Sequence, residues 1–273
     1  MGAIRRDLSD TGMTAAIEAN CIAAFGHWSR APRIELHDEE PDLRWYLTPG
    51  VPDPLFNHAY FTRFAKEEDI DARIEAVVGS FAEHEVPFMW SVGPFSRPAD
   101  LGERLESRGL SRAEELPAMA VDLRALKEDV PFPSALAIER VSDAEALREC
   151  IEVMRVGFEM PEFTSEVMFE LFSAVGLGED SPFRSYLGRL DGEAVAASLL
   201  VVAAGVAGIY NVATLPEARR QGLGTALTLE ALREARELGY RIGVLQSSAM
   251  GLGLYRRLGF EQHGTYHVYV GTG

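Results

Sequence analysis

Two segments hold residues whose types and spacing suit chemistry. The first reads Val212-Ala213-Thr214-Leu215-Pro216-Glu217-Ala218-Arg219-Arg220-Gln221-Gly222-Leu223-Gly224-Thr225-Ala226-Leu227. It passes from an apolar strand through a proline-marked loop into two glycines and straight into a helix whose buried face is predicted as Leu227, Ala231, Ala235 and Leu238. The first amides of a helix lack partners within it and lie at the positive end of its dipole, so they attract phosphate. Glycines let that backbone approach an anion with no Cβ in the way, and Arg219 and Arg220 add local positive charge. The bland alternative is a glycine-rich helix start with two exposed arginines.

The second segment, Leu245 to Phe260, runs from a strand into a short helix that carries Tyr255 and closes on Gly259. A phenol there is either a proton donor or a half-buried aromatic of an amphipathic helix. Other phosphate motifs fit less well. No G-x-x-x-x-G-K run exists, and Leu227 and Arg256 stand where a dinucleotide fingerprint needs its third glycine after Gly222-Leu223-Gly224 and Gly251-Leu252-Gly253. A nucleotide-dependent oxidoreductase is therefore disfavoured.

Together the two segments resemble the GNAT superfamily of acyl-CoA-dependent N-acetyltransferases. Arg219-Arg220-Gln221-Gly222-Leu223-Gly224 matches its R/Q-x-x-G-x-G/A signature, and Leu254-Tyr255-Arg256-Arg257-Leu258-Gly259-Phe260 matches its L-Y-x-x-L-G-F ending, in order and at family-like spacing. The resemblance covers residues 135–270. It implies acetyl transfer from acetyl-CoA, as co-substrate and without a metal, to a primary amine of a small molecule or peptide by direct attack. It further implies that the backbone of Val212, Ala213 and Thr214 hydrogen-bonds the pantetheine arm. The amides of Gln221, Gly222, Leu223, Gly224 and Thr225, with Arg219 and Arg220, would cradle the pyrophosphate, and Tyr255 would be the general acid toward the departing thiolate.

Ser248 stands where many members carry a cofactor-contacting Asn; its hydroxyl either substitutes for that contact or caps the next helix. The general base stays open. Tyr210 and Asn211 occupy the strand where many members place an acid, and neither is a good base. The amine then arrives neutral or loses its proton through ordered water, with Glu159 or Glu162 either assisting or standing as solvated loop carboxylates. The missing base leaves a non-catalytic acyl-CoA-binding or scaffold protein as the alternative.

These residues sit in a chain of 273 residues, 47% apolar and 25% charged, with a net charge of -16. Such a charge disfavours nucleic acid and anionic membrane surfaces, so an anion must be captured locally. Cys21 and Cys150 fit neither a disulfide framework nor a zinc site, and His263 and His267, four apart in a strand, would stand about 13 Å apart, too far to share a metal. The first residues show no apolar leader, and Arg6 takes the place where a myristoylation signal has Ser or Thr. A cytoplasmic protein, monomer or homodimer, is expected. The uncharged run Ala194 to Ala213 has the length of a membrane span but reads better as two buried strands with a turn at Ala203 to Gly205.

The elements that must position these groups are predicted as an α+β chain with two GNAT-like domains in tandem, each a mixed, mostly antiparallel sheet flanked by helices. Charges and two prolines mark 127–134 as a linker between a first domain, 1–126, and a catalytic domain, 135–273. Both halves read as strands, helix, strand, short helix ending in glycine, strand, which suggests a duplication. The alternative is two unrelated α+β halves; if the halves are related, the first is degenerate, since Phe61 to Asp69 has no glycine and ends in three acids that would repel a pyrophosphate, and Leu105 stands where Tyr255 stands in the second.

Overall fold

The structure is a computed structural model and describes residues 3–29, 31–64 and 69–273. Part of the glycine-free stretch of the first half, 65–68, lies outside the described residues.

The chain opens on α1 (Asp10–Trp28), followed by β1 (Glu35–His37), β2 (Leu43–Leu47), β3 (His58–Thr62), α2 (Ile70–Glu83), β4 (Phe88–Val92), α3 (Leu101–Glu106) and β5 (Ser111–Asp122). The second series is β6 (Leu136–Arg140), α4 (Ala144–Gly157), α5 (Thr164–Val175), β7 (Phe183–Leu190), β8 (Glu193–Ala203), β9 (Val206–Thr214), α6 (Leu223–Glu237), β10 (Ile242–Gln246), α7 (Leu252–Leu258) and β11 (Glu261–Gly271). The order of elements read in both halves is present, but Leu238, expected on the buried face of α6, is 44% exposed. β1 was not predicted, because three residues are too short to show alternation. α4 is capped by Asp143, whose Oδ1 accepts from the amides of Glu145 and Ala146.

The chain divides into two units, Met1–Ala24 with Met119–His263, and Phe25–Ala118 with Gly264–Gly273. This division differs from the one read at 127–134, since the expected linker lies inside the larger unit. Both units are mixed sheets flanked by helices, so the α+β tandem arrangement is as expected. In the smaller unit β2 pairs antiparallel with β3, β3 parallel with β4, and β4 antiparallel with the end of β11. In the larger unit β6 to β9 form an antiparallel meander and β9 pairs parallel with β10. α2 links the parallel pair of one unit as α6 links that of the other, the connection that parallel neighbours require.

The apolar run 194–213 forms β8, β9 and their tight turn, with positive φ at Ala204 and Gly205. No helix among the described residues is long and apolar enough to cross a membrane. The larger core packs Leu229, Ala231, Leu232 and Ala235 of α6 with Leu200, Val202 and Ile209 of the sheet. α1 is tied to that hairpin by the buried Asn20, whose Nδ2 donates to the carbonyls of Val201, Ala203 and Val206, each at 3.1 Å, while its Oδ1 accepts from Tyr210 at 2.9 Å. Gly208 must lack a side chain, because a Cβ there would collide with Asn20 Oδ1. Cys21 and Cys150 are buried free thiols, and burial pushes that of Cys150 up to about 12.

Candidate functional site

The site is built where β9 parts from β10 while still paired with β8. β9 pairs with β10 at Ala207 with Gly243 and at Gly208 with Val244. Further along, from Tyr210 to Ala213, β9 spends three steps against the two from Leu199 to Ala197 on β8. Asn211, in the left-handed region at φ 50°, accommodates the extra residue. The bulge re-aims the strand end, and Val212, Ala213 and Thr214 border a cavity of about 800 Å³. α4 reaches the same place through Gly157, where a Cβ would stand only 3.0 Å from Ala213 Cβ and 3.3 Å from Thr214 N.

The loop after β9 turns through a short 3-10 segment, Pro216–Ala218, and enters α6 at Gly222, whose φ of 83° suits glycine. No side chain caps this helix. Among the described residues, the amides of Gln221 to Thr225 meet no acceptor, and Ala226 makes the first helical bond, to Gly222 O. Thr225 and Leu223 are buried, Leu223 within a small cluster with Ala196, Ala218 and Leu227, so their side chains anchor the helix while the backbone faces the cavity. A side chain at Gly224 would fall 3.3 Å from Val212 Cγ1, narrowing the gap between helix and strand. Glycine backbone, unpaired amides and space fit a pyrophosphate-bearing ligand.

The two arginines part company. Arg219 donates through Nε to Thr214 O at 3.2 Å and through Nη2 to Gly157 O at 2.8 Å, so much of its guanidinium is engaged with the protein. Arg220, with φ 63°, is exposed and has no side-chain partner among the described residues. It is the free cation of the pair.

Opposite lie Ser248, Met250, Gly251, Gly253, Leu254 and Tyr255. Ser248 Oγ accepts from Gly251 N at 3.2 Å, so it closes the turn before α7 and also borders the cavity. Tyr255 is 8% exposed, lies edge-on to Phe260 with ring centroids 5.8 Å apart, and has its phenol pushed up to about 12 by burial. Such a group holds its proton at neutral pH. Among the described residues the lining holds no Asp, Glu or His; Glu159 and Glu162 stand outside it. Every residue that the resemblance assigned to cofactor binding or to the general acid, except Gln221, lines this cavity, and Gln221 lines a neighbouring one with Arg220, Gly222 and Thr225. Gly157, Phe158, Leu254 and Arg257 were not anticipated. Only the proximity of α4 to β9 could have identified the first two.

His263 and His267 are engaged separately. The former bonds Asp10 through Nδ1 at 2.6 Å, and the latter stands beside Arg112 and Glu115. No cluster of three or more His, Cys, Asp or Glu suited to a metal occurs among the described residues.

Comparison with known proteins agrees with this geometry. Residues 123–244 match the family model described as "Acetyltransferase (GNAT) domain". That segment is a GNAT acetyltransferase domain, and the chemistry of its family is acyl transfer. Among solved structures, a GCN5-related N-acetyltransferase from Kribbella flavida shares 22% identity over 93% of this chain and 96% of that one, with a TM-score of 0.70. A tandem GNAT protein from the clavulanic acid biosynthesis pathway shares 15% over 98% and 97%, with a TM-score of 0.63. A GCN5-related N-acetyltransferase from Sphaerobacter thermophilus shares 16% over 98% and 94%, with a TM-score of 0.62. At these identities the likeness is one of fold, and it extends over both halves. No curated protein matches the sequence.

Proposed function

We propose that the larger unit is an N-acetyltransferase that moves an acetyl group from acetyl-CoA to a primary amine of a small molecule or peptide. One observation carries the reading: a single cavity unites the strand end 212–214, the uncapped start of α6 and the phenol of Tyr255. When bound, acetyl-CoA supplies the activated thioester. The amides of Gly222 to Thr225 and the cation of Arg220 hold the pyrophosphate, and the backbone of Val212 to Thr214 orients the pantetheine arm. The amine nitrogen bonds to the acetyl carbon as the carbon–sulfur bond breaks, and Tyr255 Oη donates its proton to the departing sulfur. With no carboxylate or imidazole among the described residues of the lining, the amine arrives neutral or loses a proton to ordered water, and the proton its nitrogen sheds on acylation passes to water, from which Tyr255 regains its own.

That same absence favours a second reading, an acyl-CoA-binding protein without turnover. Calorimetry with acetyl-CoA followed by thiol-release assays over an amine panel separates the two. Thiol release that depends on both acetyl-CoA and an amine supports the enzyme; binding without release on any amine supports the binder. The smaller unit is proposed to be a degenerate copy, with Leu105, fully buried, in the place of Tyr255.

A further inference from the structure

β9 and β10 stay paired as far as Gly208 and Val244 and then part. Asn211 stands on one lip of that opening, at the bulge, and Gln246 on the other, two residues before Ser248 of the cavity lining. Both residues are half-buried, and neither carboxamide makes a hydrogen bond among the described residues. In Gln246 the Nε2 is itself buried. A shielded amide N–H with no acceptor is costly, so its presence calls for a reason.

Side-chain alternation puts Gln246 on the sheet face away from α6. A Cβ at Gly243 would stand 3.1 Å from Leu232 Cδ2 of α6, and Leu245 packs in the core with that helix, so Val244 and Gln246 take the other face. That is the face α1 covers beside β9, where Tyr210 bonds Asn20. Acetyl-CoA, in the reading above, lies along the start of α6 and fills that side of the opening. The amine therefore reaches the thioester from the α1 side, past Asn211 and Gln246. Among the described residues no carboxylate lines the cavity to hold a second ammonium group. A primary carboxamide instead pairs with an amide, one N–H···O bond in each direction.

We infer that the acceptor is an α-amino amide, an amine with an uncharged amide beside its amino group, and that Gln246 and Asn211 hold that amide. This rests on the acetyl-transfer reading and narrows its primary amine to one class, recognised by two neutral side chains.

The test is thiol release by the full chain from acetyl-CoA with L-leucinamide, with isopentylamine, which is the same molecule without the amide, and with putrescine, each rate taken per neutral amine. The natural chain is expected to show a kcat/KM at least about tenfold higher for leucinamide than for either other amine. In the Asn211→Gly/Gln246→Leu double variant, glycine keeps the left-handed turn. There the preference falls to within about threefold through loss on leucinamide, while calorimetry finds acetyl-CoA binding within about twofold of the natural chain, which shows the variant folded. Where the double variant does not fold, Gln246→Leu alone decides, with the preference expected to drop at least about threefold. An undiminished preference in a folded variant, or equal or faster turnover of an amine without an amide by the natural chain, overturns the inference and leaves acetyl transfer standing. Loss of acetyl-CoA binding by a folded variant assigns the two residues to the cofactor and likewise overturns it. Binding of acetyl-CoA with no thiol release on any amine overturns both.

Discussion

Arg219 Nη2 donates to Gly157 O at 2.8 Å, tying the last residue of α4 to the loop that opens α6. The second bond of the same guanidinium, to Thr214 O, fixes the strand end bordering the cavity. Arg219→Ala is therefore expected to cost about 1–3 kcal/mol of stability by orphaning two carbonyls. Arg220→Glu leaves stability within about 0.5 kcal/mol, since that side chain has no partner to lose, yet abolishes acetyl-CoA binding by setting an anion against the pyrophosphate. Thermal unfolding and calorimetry on both variants check the division. A reversed pattern would assign the phosphate contact to Arg219.

Tyr255→Phe removes the proton donor but keeps the ring packed on Phe260. Turnover is expected to fall by about 10²-fold with little change in the KM for acetyl-CoA. Because the phenol lies near 12, the natural enzyme should gain activity as its amine deprotonates, with no decline from Tyr255 itself until the pH approaches that value. An alkaline decline centred near pH 9 in the kcat profile, absent from Tyr255→Phe, would show that the phenol is far more acidic than its burial implies.

His58 is expected to contribute to the acid sensitivity of the smaller unit. It lies buried against Phe25, its Nε2 is 2.8 Å from Ser91 Oγ, and its Nδ1 has no partner among the described residues. Burial lowers its pKa from 6.5 to about 3. The unfolded chain thus binds the extra proton first. The contribution is complete above pH 6.5 and is lost as the pH falls toward 3, with a slope approaching about 1.4 kcal/mol per pH unit. His58→Gln should flatten the slope by that amount in denaturation between pH 6.5 and 4. An unchanged slope would place the acid-sensitive group elsewhere.

Asn20→Ala strips the carbonyls of Val201, Ala203 and Val206 and the hydroxyl of Tyr210 of a buried partner. A loss of about 2–4 kcal/mol is expected in urea denaturation. Asn20→Asp should cost more, since a carboxylate would face three carbonyl oxygens. If Asn20→Ala costs nothing measurable, the hairpin does not depend on α1.

Local chemistry made much of this molecule legible from its residues. Asp191-Gly192 marks a hairpin turn because both residues must take positive φ, and they do, at 51° and 91°. The α6 start is legible for a similar reason, since Gly222 is both a left-handed residue and a close approach. The packing partners of a strand are a different matter, because the same alternating pattern suits any neighbour with a free edge. The end of β5 belongs with the larger unit and the end of β11 with the smaller, a pairing set by contacts between residues far apart in sequence. The adjacent pair Arg219-Arg220 shows the limit at its smallest scale. As a sequence it is two equivalent cations beside a phosphate-binding loop. In the folded chain the left-handed turn at Arg220 exposes that side chain, while the carbonyls of α4 and β9 claim its neighbour.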